Sequence, residues 1–109
     1  MLIFLDLETT GLDLEDKVCS IGLITLEDGE VNSLYELVNE GKKIPSKASS
    51  IHHITNEMIR EKPSLVDTQI YTLLCENNFE DTTIVGHNVN FDMQKLKAAG
   101  FEYKGSVID

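Results

Sequence analysis

The sequence predicts an α/β domain built on a mixed sheet, and three observations carry that prediction. Strand-like segments fill the first third of the chain, two of them joined by an Asp-Gly turn. Beyond them helix-like and strand-like segments alternate, which implies parallel pairing. The length of 109 residues suits one domain with one core, burying roughly two-thirds of the unfolded surface.

Each element has its own justification. Met1 to Leu7 is rich in Leu, Ile and Phe and stops at the turn-forming Thr9-Thr10-Gly11, so it reads as the first strand. VCSIGLITL (18–26) reads as the second strand. EDGE (27–30) supplies the hairpin turn, and VNSLYELVN (31–39) returns as the third strand of an antiparallel meander. EGKKIPSKA (40–48) reads as a loop and SSIHHITNEMIR (49–60) as short helical turns. After Pro63, residues 64–77 place Leu65, Ile70, Leu73 and Leu74 near helical spacing and read as one amphipathic helix. TTIVG (82–86) is a short β-branched strand. NVNFDMQKLKAAG (88–100) reads as a helix with Asn88 as its N-cap, Phe91, Leu96 and Ala99 toward the core, and Gly100 at its C-terminal cap. SVID (106–109) begins a further strand. There is no repeat, linker or low-complexity segment.

Composition excludes several function classes. Nineteen acidic residues against nine basic ones give a net charge of -10. A protein that grips long nucleic acid through a basic face needs clustered Lys and Arg, and here they are scattered. No apolar run approaches the roughly 20 residues that span a bilayer, and the N-terminus lacks the pattern of a signal peptide. Cys19 and Cys75 have no zinc-like or C-x-x-C spacing. Both read as buried free thiols in a reducing compartment, which places the protein in the cytoplasm.

The acids in FLDLETTG (4–11) are the feature that demands chemistry. Side chains alternate faces along a strand, so Asp6 and Glu8 project the same way, roughly 7 Å apart. Like charges on one face repel, and a divalent cation between them removes the repulsion. Mg²⁺ or Mn²⁺ suits such oxygen ligands. GHNVNFD (86–92) places Asp92 one turn into a helix that follows a parallel strand, where α/β sheets hold their ligands. If TTIVG pairs beside the first strand, Asp92 converges on Asp6 and Glu8. Three carboxylates together would be costly without metal. His52, His53 and His87 have no zinc-site spacing, so zinc catalysis is a weak reading.

Taken in order, FLDLETTGL, the IHHIT–NEMI stretch and GHNVNFD resemble the motifs of the DEDD superfamily of 3′→5′ exonucleases, in the branch like the epsilon proofreading subunit of bacterial DNA polymerase III. The match runs over the whole chain, with His53 standing where the family's I-H-G-I-T segment has glycine. The resemblance implies a ribonuclease H-like fold and two-metal hydrolysis of phosphodiesters at a 3′ end, with two Mg²⁺ or Mn²⁺ ions. It carries Asp6, Glu8 and Asp92 over as metal ligands and catalytic acids. Thr9, Thr10 and Leu12 would line the pocket of the terminal nucleotide with His52 nearby, and Asn88 would organise the second motif and help bind substrate. The implied partners are a single-stranded 3′ end, DNA before RNA, and a DNA polymerase subunit; none is a membrane.

The family's third motif, of H-x4-D or Y-x3-D form, has no counterpart in MQKLKAAGFEYKGSVID (93–109). Asp109 matches instead an acid that follows this strand in the family and does not bind metal. The expectation is therefore a partial exonuclease domain, residues 1–109, holding two of three motifs, with its C-terminal part missing and little activity alone. A non-catalytic relative that binds nucleotides or a polymerase is the alternative. A phospho-accepting receiver domain fits less well, for the middle of the chain offers no acceptor Asp at the end of a buried strand.

Overall fold

The computed structural model describes residues 1–109, and its sheet follows the predicted order closely. β1 (Leu2–Thr9), β2 (Val18–Glu27) and β3 (Glu30–Leu37) form the antiparallel meander. Asp28 and Gly29 both take positive φ, 51° and 81°, as a two-residue turn matched to strand twist requires. The chain then passes through α1 (Ser46–His52), α2 (Asn56–Ile59) and α3 (Gln69–Glu76). It re-enters the sheet as β4 (Thr83–Val85), and α4 (Val89–Ala98) leads to β5 (Ser106–Ile108). The strand order is β3-β2-β1-β4-β5, with β4 parallel to β1 and β5 parallel to β4. An antiparallel half of this kind removes the receiver reading, whose sheet is parallel throughout.

Alternation along β1 sets the two faces. Ile3, Leu5 and Leu7 point into a core shared with Ile21, Leu23, Leu65, Ile70, Leu74, Ile84, Val89, Leu96 and Phe101. Burying side chains of this size is worth roughly 1.5–3 kcal/mol each. Leu2, Phe4 and Asp6 alternate with them and are exposed, and the neighbouring positions Ile24 and Tyr35 are exposed too. A smaller cluster of Cys19, Ile44, Ile54 and Ile59 seats α1 and α2.

Two sequence expectations are corrected. Residues 64–77 do not form one helix: a 3-10 turn at Leu65–Asp67 is separated from α3 by Thr68 in extended conformation. The Thr68 hydroxyl donates to the Leu65 carbonyl and accepts the Tyr71 N–H, so one side chain ends the first turn and caps the next helix. Cys75, expected buried, is exposed on α3, whereas Cys19 is buried. The inward stripe of α3 runs through Ile70 and Leu74, one residue short of Cys75.

Candidate active site

Three elements meet at one rim of the sheet. β1 delivers Asp6 and Glu8 at its C-terminal end, and β4 runs parallel beside it. The turn after β4 starts α4, whose inward stripe is Val89, Asp92 and Leu96. Gly86 is tightly packed, for a Cβ there would lie 3.0 Å from both the Leu5 carbonyl oxygen and Val89 Cγ2. That close approach brings α4 down against β1.

Asp92 is 4 % exposed, and its Oδ2 has no hydrogen-bond partner. A buried oxygen of this kind without a partner is rare and calls for a missing donor or cation. Burial, and then the charges of Asp6 and Glu8, push the Asp92 carboxyl up to about 7, partly offset by the Leu7 amide. Glu8 is likewise raised, by burial first and by Asp6 second. The carboxyls thus sense one another across the gap between β1 and α4. They are neighbours, not a finished cage, since no three His, Cys, Asp or Glu side chains are already close enough together to hold one ion. The donor set still fits a hard divalent cation: oxygen ligands alone, mutually repelling, one of them orphaned.

The profile of the exonuclease family, the RNase T group, matches residues 3–107. The chain belongs to that family. The exonuclease domain is 34 % identical over 114 residues to DNA polymerase III PolC-type of Thermotoga maritima, covering 98 % of this chain and 8 % of that one. It is 34 % identical over 95 residues to DNA polymerase III subunit epsilon of Treponema pallidum, covering 85 % of this chain and 43 % of that one. Among solved structures, exonuclease X in complex with 5′ overhanging duplex DNA aligns with a TM-score of 0.72 at 29 % identity, over 98 % of this chain and 58 % of that one. Exonuclease I of E. coli bound to a dT13 oligonucleotide aligns with a TM-score of 0.75 at 20 % identity, over 99 % of this chain and 27 % of that one. The fold is therefore ribonuclease H-like, and the domain spans under two-thirds of the length of each of these proteins.

The exonuclease domain places the other predicted residues unevenly around the acids. Leu12 is 85 % exposed on the loop after β1, and with Leu14, Phe91 and Lys95 it lines a cleft of about 270 Å³. Thr9 and Thr10 are buried, and their hydroxyls are engaged inside that loop. Thr9 donates to the Gly11 carbonyl at 2.7 Å and Thr10 donates to Asp16 Oδ1 at 2.9 Å. His52 Nδ1 accepts the Ile54 N–H, which leaves the proton of the neutral ring on Nε2, and Nε2 donates to the Thr9 carbonyl at 3.1 Å. His52 thus holds the backbone next to Glu8, with the buried Cys19 thiol 3.7 Å away and pushed up to about 11 chiefly by burial.

Asn88 occupies the N-cap position but not as a side-chain cap. It sits in the left-handed region at φ 56° and makes no capping hydrogen bond with its side chain. Asp109 caps α4 from the end of β5: its Oδ1 accepts the Asn88 N–H at 2.8 Å and the Val89 N–H at 3.4 Å.

Sequence reasoning missed Asp16 and Lys95. Asp16 folds back under the β1–β2 loop, accepting the Asp13 N–H and the Thr10 hydroxyl and pairing with Lys42 at 3.0 Å. Those bonds, the Asp13 amide first, lower its carboxyl to about 2. Gly11 was legible only as a turn residue; in the structure a Cβ there would collide with the Asp16 carboxylate. Lys95 follows Asp92 by three positions, and that spacing puts both on one helix face.

Proposed function

We propose that this domain contributes the metal-binding and 3′-end-binding parts of a 3′→5′ exonuclease acting on single-stranded DNA ends in the cytoplasm, in proofreading or repair. The observation that carries the reading is the orphaned, buried Asp92 oxygen set beside Asp6 and Glu8. Asp6, Glu8 and Asp92 would hold two Mg²⁺ or Mn²⁺ ions. Bound there, such ions supply a nucleophilic hydroxide near neutral pH and stabilise charge on the leaving 3′ oxygen. The chain's own residues position the end: Leu12 presents an apolar edge to the cleft, the Thr9 backbone is pinned by His52, and Asn88 stands exposed at the start of α4. The names of the relatives, parts of DNA polymerase III, support DNA as substrate and a polymerase as partner.

A second reading, binding without cleavage, is favoured for this stretch alone by one fact: nothing after Asp92 has the H-x4-D or Y-x3-D form that would supply the general base. One assay on two proteins separates the readings. A protein that joins this domain to a third motif should release mononucleotides from a single-stranded 3′ end only with Mg²⁺ or Mn²⁺, and Asp6→Ala should abolish the release. The 109-residue chain should bind Mn²⁺ without cutting. Turnover unaffected by Asp6→Ala would overturn the ligand assignment.

A further inference from the structure

Lys95 is a lysine buried to 9 % exposure, and none of its bonds goes to a carboxylate. Its Nζ donates to the Asp16 carbonyl at 2.6 Å, to the Asp13 carbonyl at 2.8 Å and, at 3.5 Å, to that of Leu14. The ammonium also lies 5.3 Å from the Phe91 ring centroid. Three donors meet three backbone oxygens of one turn, so the side chain is fully used. The turn is the one after β1, and it already closes on itself. The Thr10 N–H donates to the Lys17 carbonyl, the Lys17 N–H to the Thr10 hydroxyl, and Asp16 accepts from Thr10 and Asp13. Lys95 alone among these contacts joins the turn to α4, the helix that carries Asp92.

We propose that Lys95 is a positioning residue, a latch that fixes the Thr10–Lys17 loop against α4 and so sets the width of the cleft between Leu12 and Phe91 that receives the terminal nucleotide. The proposal rests on the exonuclease reading for the identity of the ligand, but not for the latch itself. A cation one helical turn from Asp92 could have neutralised the acidic rim. Its hydrogen bonds to loop carbonyls instead leave the carboxylates to a metal, while the loop's main chain takes up the charge.

The test compares wild type, Lys95→Met and Lys95→Arg in three measurements: amide hydrogen exchange over residues 10–17, Mn²⁺ affinity, and affinity for thymidine 5′-monophosphate with Mn²⁺ saturating. Met keeps the stem and removes the donors; Arg keeps charge and donors. Lys95→Met should speed exchange in the loop and weaken nucleotide binding about tenfold or more, the scale of lost charge-assisted hydrogen bonds. Mn²⁺ affinity should stay within about twofold, because Lys95 touches no ligand, and Lys95→Arg should recover most of both losses. Exchange and nucleotide affinity unchanged in Lys95→Met, or Lys95→Arg no better than Met, would overturn the latch. Should Lys95→Met fail to fold, Lys95→Arg decides: a folded chain with a protected loop supports the latch, and one as unfolded as Met refutes it. Wild type that binds neither Mn²⁺ nor the nucleotide would sink the exonuclease reading instead, and the exchange data would then judge the latch alone.

Discussion

His53 ends α1 in the left-handed region, at φ 63° and ψ 16°, with its N–H bonded to the Ser49 carbonyl. A side chain there costs about 1 kcal/mol because its Cβ crowds the backbone, and glycine avoids that crowding. This accounts for the glycine that the resembling family carries at the same place. His53 is exposed and its side chain makes no hydrogen bond, so nothing compensates for the strain. His53→Gly should therefore stabilise the domain by about 0.5–1 kcal/mol, raising Tm by a few degrees without touching metal affinity. A lower midpoint in thermal unfolding would show that the imidazole earns its place in some other way. The acids were legible at this scale because strand alternation alone puts Asp6 and Glu8 together. The engagement of Thr10 was not, because it depends on Asp16 folding back from six residues on.

Elements were legible where local chemistry decides them. The Asp-Gly turn, the short β4 and the end of α4 all appear where their residues demand. Gly100, at φ 104°, lets the Gly100 N–H reach the Lys97 carbonyl and the Phe101 N–H reach the Leu96 carbonyl, closing the helix. The start of α4 falls at Asn88 as its residues demand, but the group that caps it lies outside them. Its cap is Asp109, supplied across the sheet from β5. That bond satisfies one of the helix's free N–H groups and sets a negative charge at the positive end of the dipole. Asp109→Ala should cost about 1 kcal/mol in urea unfolding and should speed amide exchange in the first turn of α4, where Asp92 lies. Asp109→Asn, which keeps an acceptor oxygen, should cost less. Equal stability and unchanged exchange in the alanine variant would remove Asp109 from any role in placing Asp92.

At the scale of the whole molecule, the buried acids oppose one another in their dependence on pH. Asp92 binds its proton more tightly when folded, at about 7 against an ordinary 3.8. Its contribution is therefore fully present below about pH 4 and drains away as pH rises toward 7. Glu8, also raised, adds in the same direction. Asp16 works the other way: lowered to about 2, it stabilises the fold above about pH 4 and loses that effect as pH falls toward 2. The metal-free domain should accordingly be most stable near about pH 4–5 and lose a few kcal/mol by neutrality. Urea unfolding in EDTA at a series of pH values measures this directly. Asp92→Asn should flatten the decline between pH 4 and 7 and be more stable than wild type at pH 7, since the neutral amide leaves no charge to desolvate. Mn²⁺ at pH 7 should restore wild-type stability in proportion to the logarithm of its concentration and do little for Asp92→Asn. A stability curve that instead climbs from pH 4 to 8 without metal, with Asp92→Asn no better than wild type, would mean that the carboxyls on β1 and α4 do not confront one another. On the proposed ligand assignment, the loss of stability toward neutrality and the affinity for a divalent ion share a cause: Asp92 is buried, and its charge then faces those of Asp6 and Glu8. A variant that relieves the first should therefore lose the second.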